Sequence, residues 1–110
     1  VEAIINDPSK GQYYVYEIAD KVVGQIMHTY EWSDWRNGMF LWVQSVYVDS
    51  SYRRKGIFKK LYNHVKNICD KDEDIAGIRL YVEKENINAK ATYTSLGMKE
   101  CNYHMYEYEA

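Results

Sequence analysis

Between Phe40 and Val82 the hydrophobic period of the chain changes twice, and that limits the folds open to it. Phe40 to Val48 is apolar on both parities, with Leu41, Val43 and Tyr47 on one and Trp42, Val46 and Val48 on the other. A strand in the centre of a sheet, buried on both faces, reads this way. Ile57, Phe58, Leu61, Val65, Ile68 and Cys69 then recur at helical spacing, while Lys59, Lys60, Asn63, Lys66 and Asn67 fill the complementary side. Ile78, Leu80 and Val82 return to alternation. A strand, a helix and a further strand in that order imply at least one parallel pair.

The flanks extend the pattern. Val1 to Ile5 reads as the tail of a helix or a loose segment, and Asp7 to Gly11 has turn chemistry. Tyr13 to Ala19 alternates and is rich in aromatic residues, as a strand would be. After a turn at Asp20-Lys21, Val22 to Glu31 reads as its partner, with Gly24 marking a bulge or a close backbone approach. Asn37-Gly38 is a turn signal ahead of the central strand. Ala89 to Leu96 reads as a short helix, with Gly97 in the left-handed position that ends it. Met98 to Glu109, rich in tyrosine, is expected to be a closing strand. The expected order is β-β-β-α-β-α-β.

Composition bounds the rest. The 110 residues make one domain, and 46% hydrophobic with 27% charged is ordinary globular usage. No apolar run approaches the ~18 residues of a membrane span. A net charge of −2 gives no general field for nucleic acid. Two widely separated cysteines, Cys69 and Cys101, form neither a disulfide framework nor a zinc knuckle, which points to a reducing, cytoplasmic setting. His28, His64 and His104 are dispersed and lack metal spacing, so no metal is expected.

Chemistry concentrates at Arg53-Arg54-Lys55-Gly56-Ile57-Phe58. Three cations precede a glycine where the helix begins. The first N–H groups of a helix have no acceptor within it, and the helix dipole makes that end positive. Gly56 lets an anion approach the backbone, and a pyrophosphate is a natural ligand. A solvated basic turn is the plain alternative.

A second segment bears on that choice. Asn86, Ala89 and Tyr93, followed by Gly97 and Met98, fit the pattern N-x-x-A-x-x-x-Y then x-x-x-G-F/M. Arg53 and Gly56 fit a phosphate-loop pattern Q/R-x-x-G-x-G/A, in which Phe58 stands where Gly or Ala is usual. Together with the strand order, these motifs resemble the GNAT superfamily of acyl-CoA-dependent N-acyltransferases. The resemblance runs from about Gly11 to the C-terminus. It implies an α/β fold with a mixed, mostly antiparallel sheet, a splayed parallel central pair and flanking helices. It also implies acetyl-CoA as the cofactor. The backbone of Val46, Tyr47 and Val48 would hold pantetheine, and Arg53, Arg54, Lys55, Gly56, Ile57 and Phe58 the pyrophosphate. Asn86 would contact the cofactor near pantetheine.

By the same resemblance, Tyr93 would protonate the departing thiolate while an acceptor amine attacks the thioester directly. A phenol with a reference pKa of ~10 suits that task; a core aromatic on a short helix is the alternative for this residue. The backbone N–H of Val48 or a neighbour would polarise the thioester carbonyl. Gln44 occupies a position where some relatives carry a Glu base, and Gln cannot act as one. Glu31 and Glu83 are substitutes or simply surface acids. Trp35, on a loop, is the best tryptophan to line an acceptor pocket; Trp32 and Trp42 are others.

The expected activity is acetyl transfer to the amine of a small molecule or peptide. A CoA-binding or protein-interaction domain without turnover is the alternative, favoured by Phe58 and Gln44. No nucleic-acid or membrane partner is expected, and a homodimer is left open. Relatives of this kind begin with a strand and one or two helices ahead of Tyr13. The chain starts at Val1, so the expectation is one domain over residues 1–110 without the first strand and helix of that fold.

Overall fold

The computed structural model describes residues 8–110, so the reading of Val1 to Ile5 lies outside the described residues. A short 3-10 turn over Pro8–Lys10 leads into β1 (Gln12–Ile18), β2 (Lys21–Ser33) and β3 (Gly38–Val48). A second 3-10 turn, Ser50–Tyr52, precedes α1 (Ile57–Lys71). Then come β4 (Ile75–Leu80) and α2 (Ile87–Ser95). The strands form one sheet in the order β1-β2-β3-β4, antiparallel except for the parallel β3–β4 pair. The crossover implied by the change of period is therefore present. No helix among the described residues is long and apolar enough to cross a membrane.

The helix α1 packs on one face of the sheet and touches all four strands. Ile57, Leu61 and Val65 lie four residues apart, so they share a helix face. They are buried with Val23, Ile26, Leu41 and Val43. The lysine-rich side predicted to face water does so, with Lys66 and Asp70 paired across one turn at 3.0 Å. Gly24 permits this packing. A Cβ built on it would lie 2.8 Å from Ile57 Cγ2 and 3.3 Å from Leu61 Cδ1. It marks a close approach, and the strand register also slips beside it, between Tyr16 and Glu17.

A second slip falls in β3. Met27 pairs with Ser45 and His28 with Val43, so Gln44 is an extra residue without a counterpart on β2. Such a bulge bends and twists the strand that carries it.

One expected element is absent. Residues 98–110 carry no strand, and their side chains are largely exposed, Tyr106 at 95% and Tyr108 at 94%. Tyrosine favours strands because it packs on a half-buried pleated surface, and this segment meets no such surface. The observed order ends at the second helix.

A buried polar group lies within β2. His28 is 2% exposed, and the Tyr14 hydroxyl lies 3.2 Å from its Nε2. The Tyr30 ring stands edge-on to His28 at 5.1 Å, and Tyr14 also meets the His64 ring at 4.9 Å. Burial holds the His28 pKa below its ordinary value. An unfolded histidine takes up a proton near pH ~6.5, whereas the folded one does so only at lower pH. The His28 contribution to stability is therefore present above that pH and lost as the pH falls through the folded value. The urea midpoint is expected to fall between about pH 7.5 and about pH 5. The fall should be smaller in His28→Phe, and an identical fall there would exclude His28 as its source.

Candidate functional site

The site begins where β3 and β4 part. Their ladder runs from Met39–Ile75 to Val43–Leu80 and stops. Beyond it β3 continues through Val48, still paired to β2 by Val46–Ile26 and Val48–Gly24. Its other edge has no ladder partner among the described residues. The break falls at the Gln44 bulge, so the strand bends away from β4 just where pairing ends. A cleft of about 170 Å³ opens there. Val43 to Val46 form one wall, and Leu80 and Tyr81 the other, with Tyr93 across the mouth.

Past the cleft, β3 runs on to Val48, and the basic loop then carries the chain to the start of α1. The first bond within this helix runs from Lys60 N to Gly56 O at 3.1 Å. The N–H groups of Ile57, Phe58 and Lys59 precede that bond, and no side chain caps the helix. Gly56 has φ 78°, and a Cβ there would meet nothing within 4 Å. Arg54, at φ 64°, is also left-handed, so the basic loop is a tight turn. Arg53 Nε reaches the Val48 carbonyl at 3.3 Å, tying the loop to the end of β3. Lys55 lies over the Tyr52 ring at 5.3 Å. Lys60 points elsewhere, to the Tyr16 hydroxyl on β1 at 3.0 Å.

These residues fit a pyrophosphate-bearing thioester. The free edge of β3 can pair with an amide-containing arm. The open space over Gly56 and the uncapped helix start suit an anion. Of the two expected cofactor segments, Val46 to Val48 and Arg53 to Phe58, the first is joined to the second by the Arg53–Val48 bond. Asn86 has a job within its own helix, its Oδ1 accepting from Ala89 N at 3.1 Å. Gly97, at φ 91°, ends that helix as expected.

Tyr93 is half-buried, and burial raises its pKa. Its phenol therefore stays protonated through neutral pH. The Phe58 ring, which departs from the motif, stands 6.0 Å from the Tyr93 ring at 63°, edge to face. It also lies 6.3 Å from Tyr62. The large side chain thus packs against α2.

Gln44 and Glu31 are both engaged. Gln44 Nε2 bonds Thr29 Oγ1 at 3.1 Å. Glu31 pairs with Arg79 at 3.0 Å. Glu83 is exposed and does not line the cleft. Trp35 is corrected as a pocket residue. It is 97% exposed at the β2–β3 turn, at the opposite end of β3 from the cleft. The aromatic pair beside the cleft is Trp42 with Tyr81, stacked at 4.5 Å and 27°. Sequence reasoning passed over Tyr81 because its neighbours alternate like any strand. Two residues past Arg79, it falls on the face that Trp42 shares, which strand parity could have shown.

Comparison with known proteins identifies the family of this fold. The model of the acetyltransferase (GNAT) family matches residues 2–98. The chain belongs to the GNAT acetyltransferase family. A crystal structure described as a possible acetyltransferase from Clostridium difficile 630 is 72% identical, with a TM-score of 0.93. That match covers 99% of this GNAT chain and 72% of the other. Arabidopsis thaliana Naa50, in complex with the bisubstrate analogue CoA-Ac-MVNAL, is 28% identical with a TM-score of 0.67. It covers 77% of this chain and 55% of its own. N-alpha-acetyltransferase 50 of Danio rerio is 36% identical over 64 residues, 58% of this chain. The chain spans 38% of the length of that curated relative.

Proposed function

We propose that this GNAT domain transfers an acetyl group from acetyl-CoA to the amine of a small molecule or peptide, by direct attack in a ternary complex. The carrying observation is the parting of β3 and β4 after Val43–Leu80, with Tyr93 at the mouth and the uncapped start of α1 beyond. The complex of the Arabidopsis neighbour with a CoA-peptide analogue supports the choice of cosubstrate and of an amine acceptor.

Acetyl-CoA, when bound, supplies an acyl group activated as a thioester. The chain's own residues do the remaining work. Val46, Tyr47 and Val48 offer unpaired backbone for the pantetheine arm. Ile57, Phe58 and Lys59 offer N–H groups to the pyrophosphate, with Arg53, Arg54 and Lys55 adding positive charge. The backbone N–H of Val48 or a neighbour on β3 polarises the thioester carbonyl. Tyr93 holds the proton that the leaving sulfur requires. Asn86 contacts the cofactor near pantetheine, while its Oδ1 fixes the start of the helix that carries Tyr93. Two free thiols, Cys69 and Cys101, support a cytoplasmic setting.

A second reading, a CoA-binding domain without turnover, has one observation in its favour. None of the side chains lining the cleft is a carboxylate, so none could take a proton from an incoming ammonium. The two are separated by acetyl-CoA calorimetry run beside a panel of amines, amino acids, aminoglycosides and N-terminal peptides, read by release of free CoA. Binding with release for at least one acceptor is the expected result. Binding without release for any acceptor selects the second reading, and absence of binding overturns both.

A further inference from the structure

We propose that Phe58 is a positioning residue for the Tyr93 phenol, joining the anion-binding end of α1 to the acid of the reaction. The proposal rests on the role given to Tyr93 above. Its observations are separate from that role. The helix α2 has nine residues, and none of them is buried. A helix this short is marginal on its own, and no apolar stripe seats it on the sheet. Its ends are held locally, by the Asn86 cap and by Gly97. These fix where the helix starts and stops, but they do not set its rotation about its own axis.

A contact from outside must set that rotation, and Phe58 supplies one. Its ring meets Tyr93 edge to face at 6.0 Å, a favoured aromatic geometry. Behind it, Phe58 leans on Tyr62 at 6.3 Å, and Tyr62 is 4% exposed. The series Tyr62–Phe58–Tyr93 thus runs from the buried body of α1 to the mouth of the cleft. Gly or Ala at position 58 would have no ring to reach Tyr93. Phe58 also stands two residues after Gly56. Its N–H faces the proposed pyrophosphate site, while its side chain faces the acid.

The test compares Phe58→Ala and Phe58→Leu with Phe58→Trp, which restores an aromatic edge. Leu keeps the apolar bulk, so the fold survives even if the Ala variant is unstable. Tyrosines carrying a ring-carbon NMR label report Tyr93 without any cosubstrate present, its signal assigned by loss in Tyr93→Phe. In the Ala and Leu variants the Tyr93 signal is expected to shift and its titration to move down toward that of a free phenol. In Phe58→Trp both should return. With acetyl-CoA and an acceptor, kcat should drop ~10- to 100-fold in the Leu variant and recover in Phe58→Trp. Adding Phe58→Leu to Tyr93→Phe should slow the reaction no further. An unmoved Tyr93 signal, or additive losses in the double variant, would overturn the proposal. If Tyr93→Phe leaves kcat unchanged while the signal still shifts, the acid role fails and the positioning role stands.

Discussion

Gly56→Glu should remove acetyl-CoA binding, with affinity lower by at least ~100-fold, or about 2.7 kcal/mol. Two effects combine. The φ of 78° at position 56 disfavours any side chain, although the space around the missing Cβ is open. The Glu would therefore fit in the apo protein at the cost of local strain, about 1–2 kcal/mol. Its carboxylate would then occupy the approach to the free N–H groups of Ile57 to Lys59, and repel the phosphates they are proposed to hold. Gly56→Asn separates the effects, since Asn tolerates the left-handed region and carries no charge. The Asn variant should lose less affinity than the Glu variant, and both should keep a cooperative urea transition. Calorimetry showing wild-type affinity in Gly56→Glu would place the pyrophosphate elsewhere.

Tyr93→Phe should lower kcat by ~10²- to 10⁴-fold, the range of a lost general acid. The ring, its contact with Phe58 and the fold of α2 are kept, so the CoA affinity should hold. The loss is expected to fall on kcat and on kcat/KM for the acceptor together, the mark of a group acting only in the transition state. The pH dependence follows from burial. Because the Tyr93 pKa is raised, the phenol remains a donor past the ordinary tyrosine range. The acid-dependent fall of kcat in the wild type should therefore lie above pH ~10. The variant should lack it. An unaltered kcat in Tyr93→Phe would return this residue to a packing role.

The backbone features of the candidate site were legible in the sequence. A glycine after three cations at a change of period states where a helix starts and which charge it meets. The spacing of Asn86, Ala89, Tyr93 and Gly97 places a cap, a phenol and a left-handed stop on one short helix. What the sequence hid depends on partners. Residues 98–110 have the composition of a strand, but a strand also needs a neighbour with free ladder groups. Trp35 and Trp42 are the same residue type a few positions apart. Only the pairing of β3 with β4 sets one beside the cleft, against Tyr81, and the other out in solvent. Glu31 kept both meanings until Arg79, 48 residues away, proved to be its partner. The direction of the Phe58 ring was hidden in the same way, because Tyr93 approaches it from a separate helix.

The bulge at Gln44 has a consequence of another kind. The cleft opens at this residue because β3 holds one residue more than β2 can match. The Gln44 side chain points to Thr29 and is exposed. Its presence in the count, more than its amide, turns the strand. A substitution at position 44 keeps that count and therefore the bulge, whereas a deletion there would bring β3 back into step with β2. The opening between β3 and β4 is thus specified by arithmetic more than by the side chain beside it.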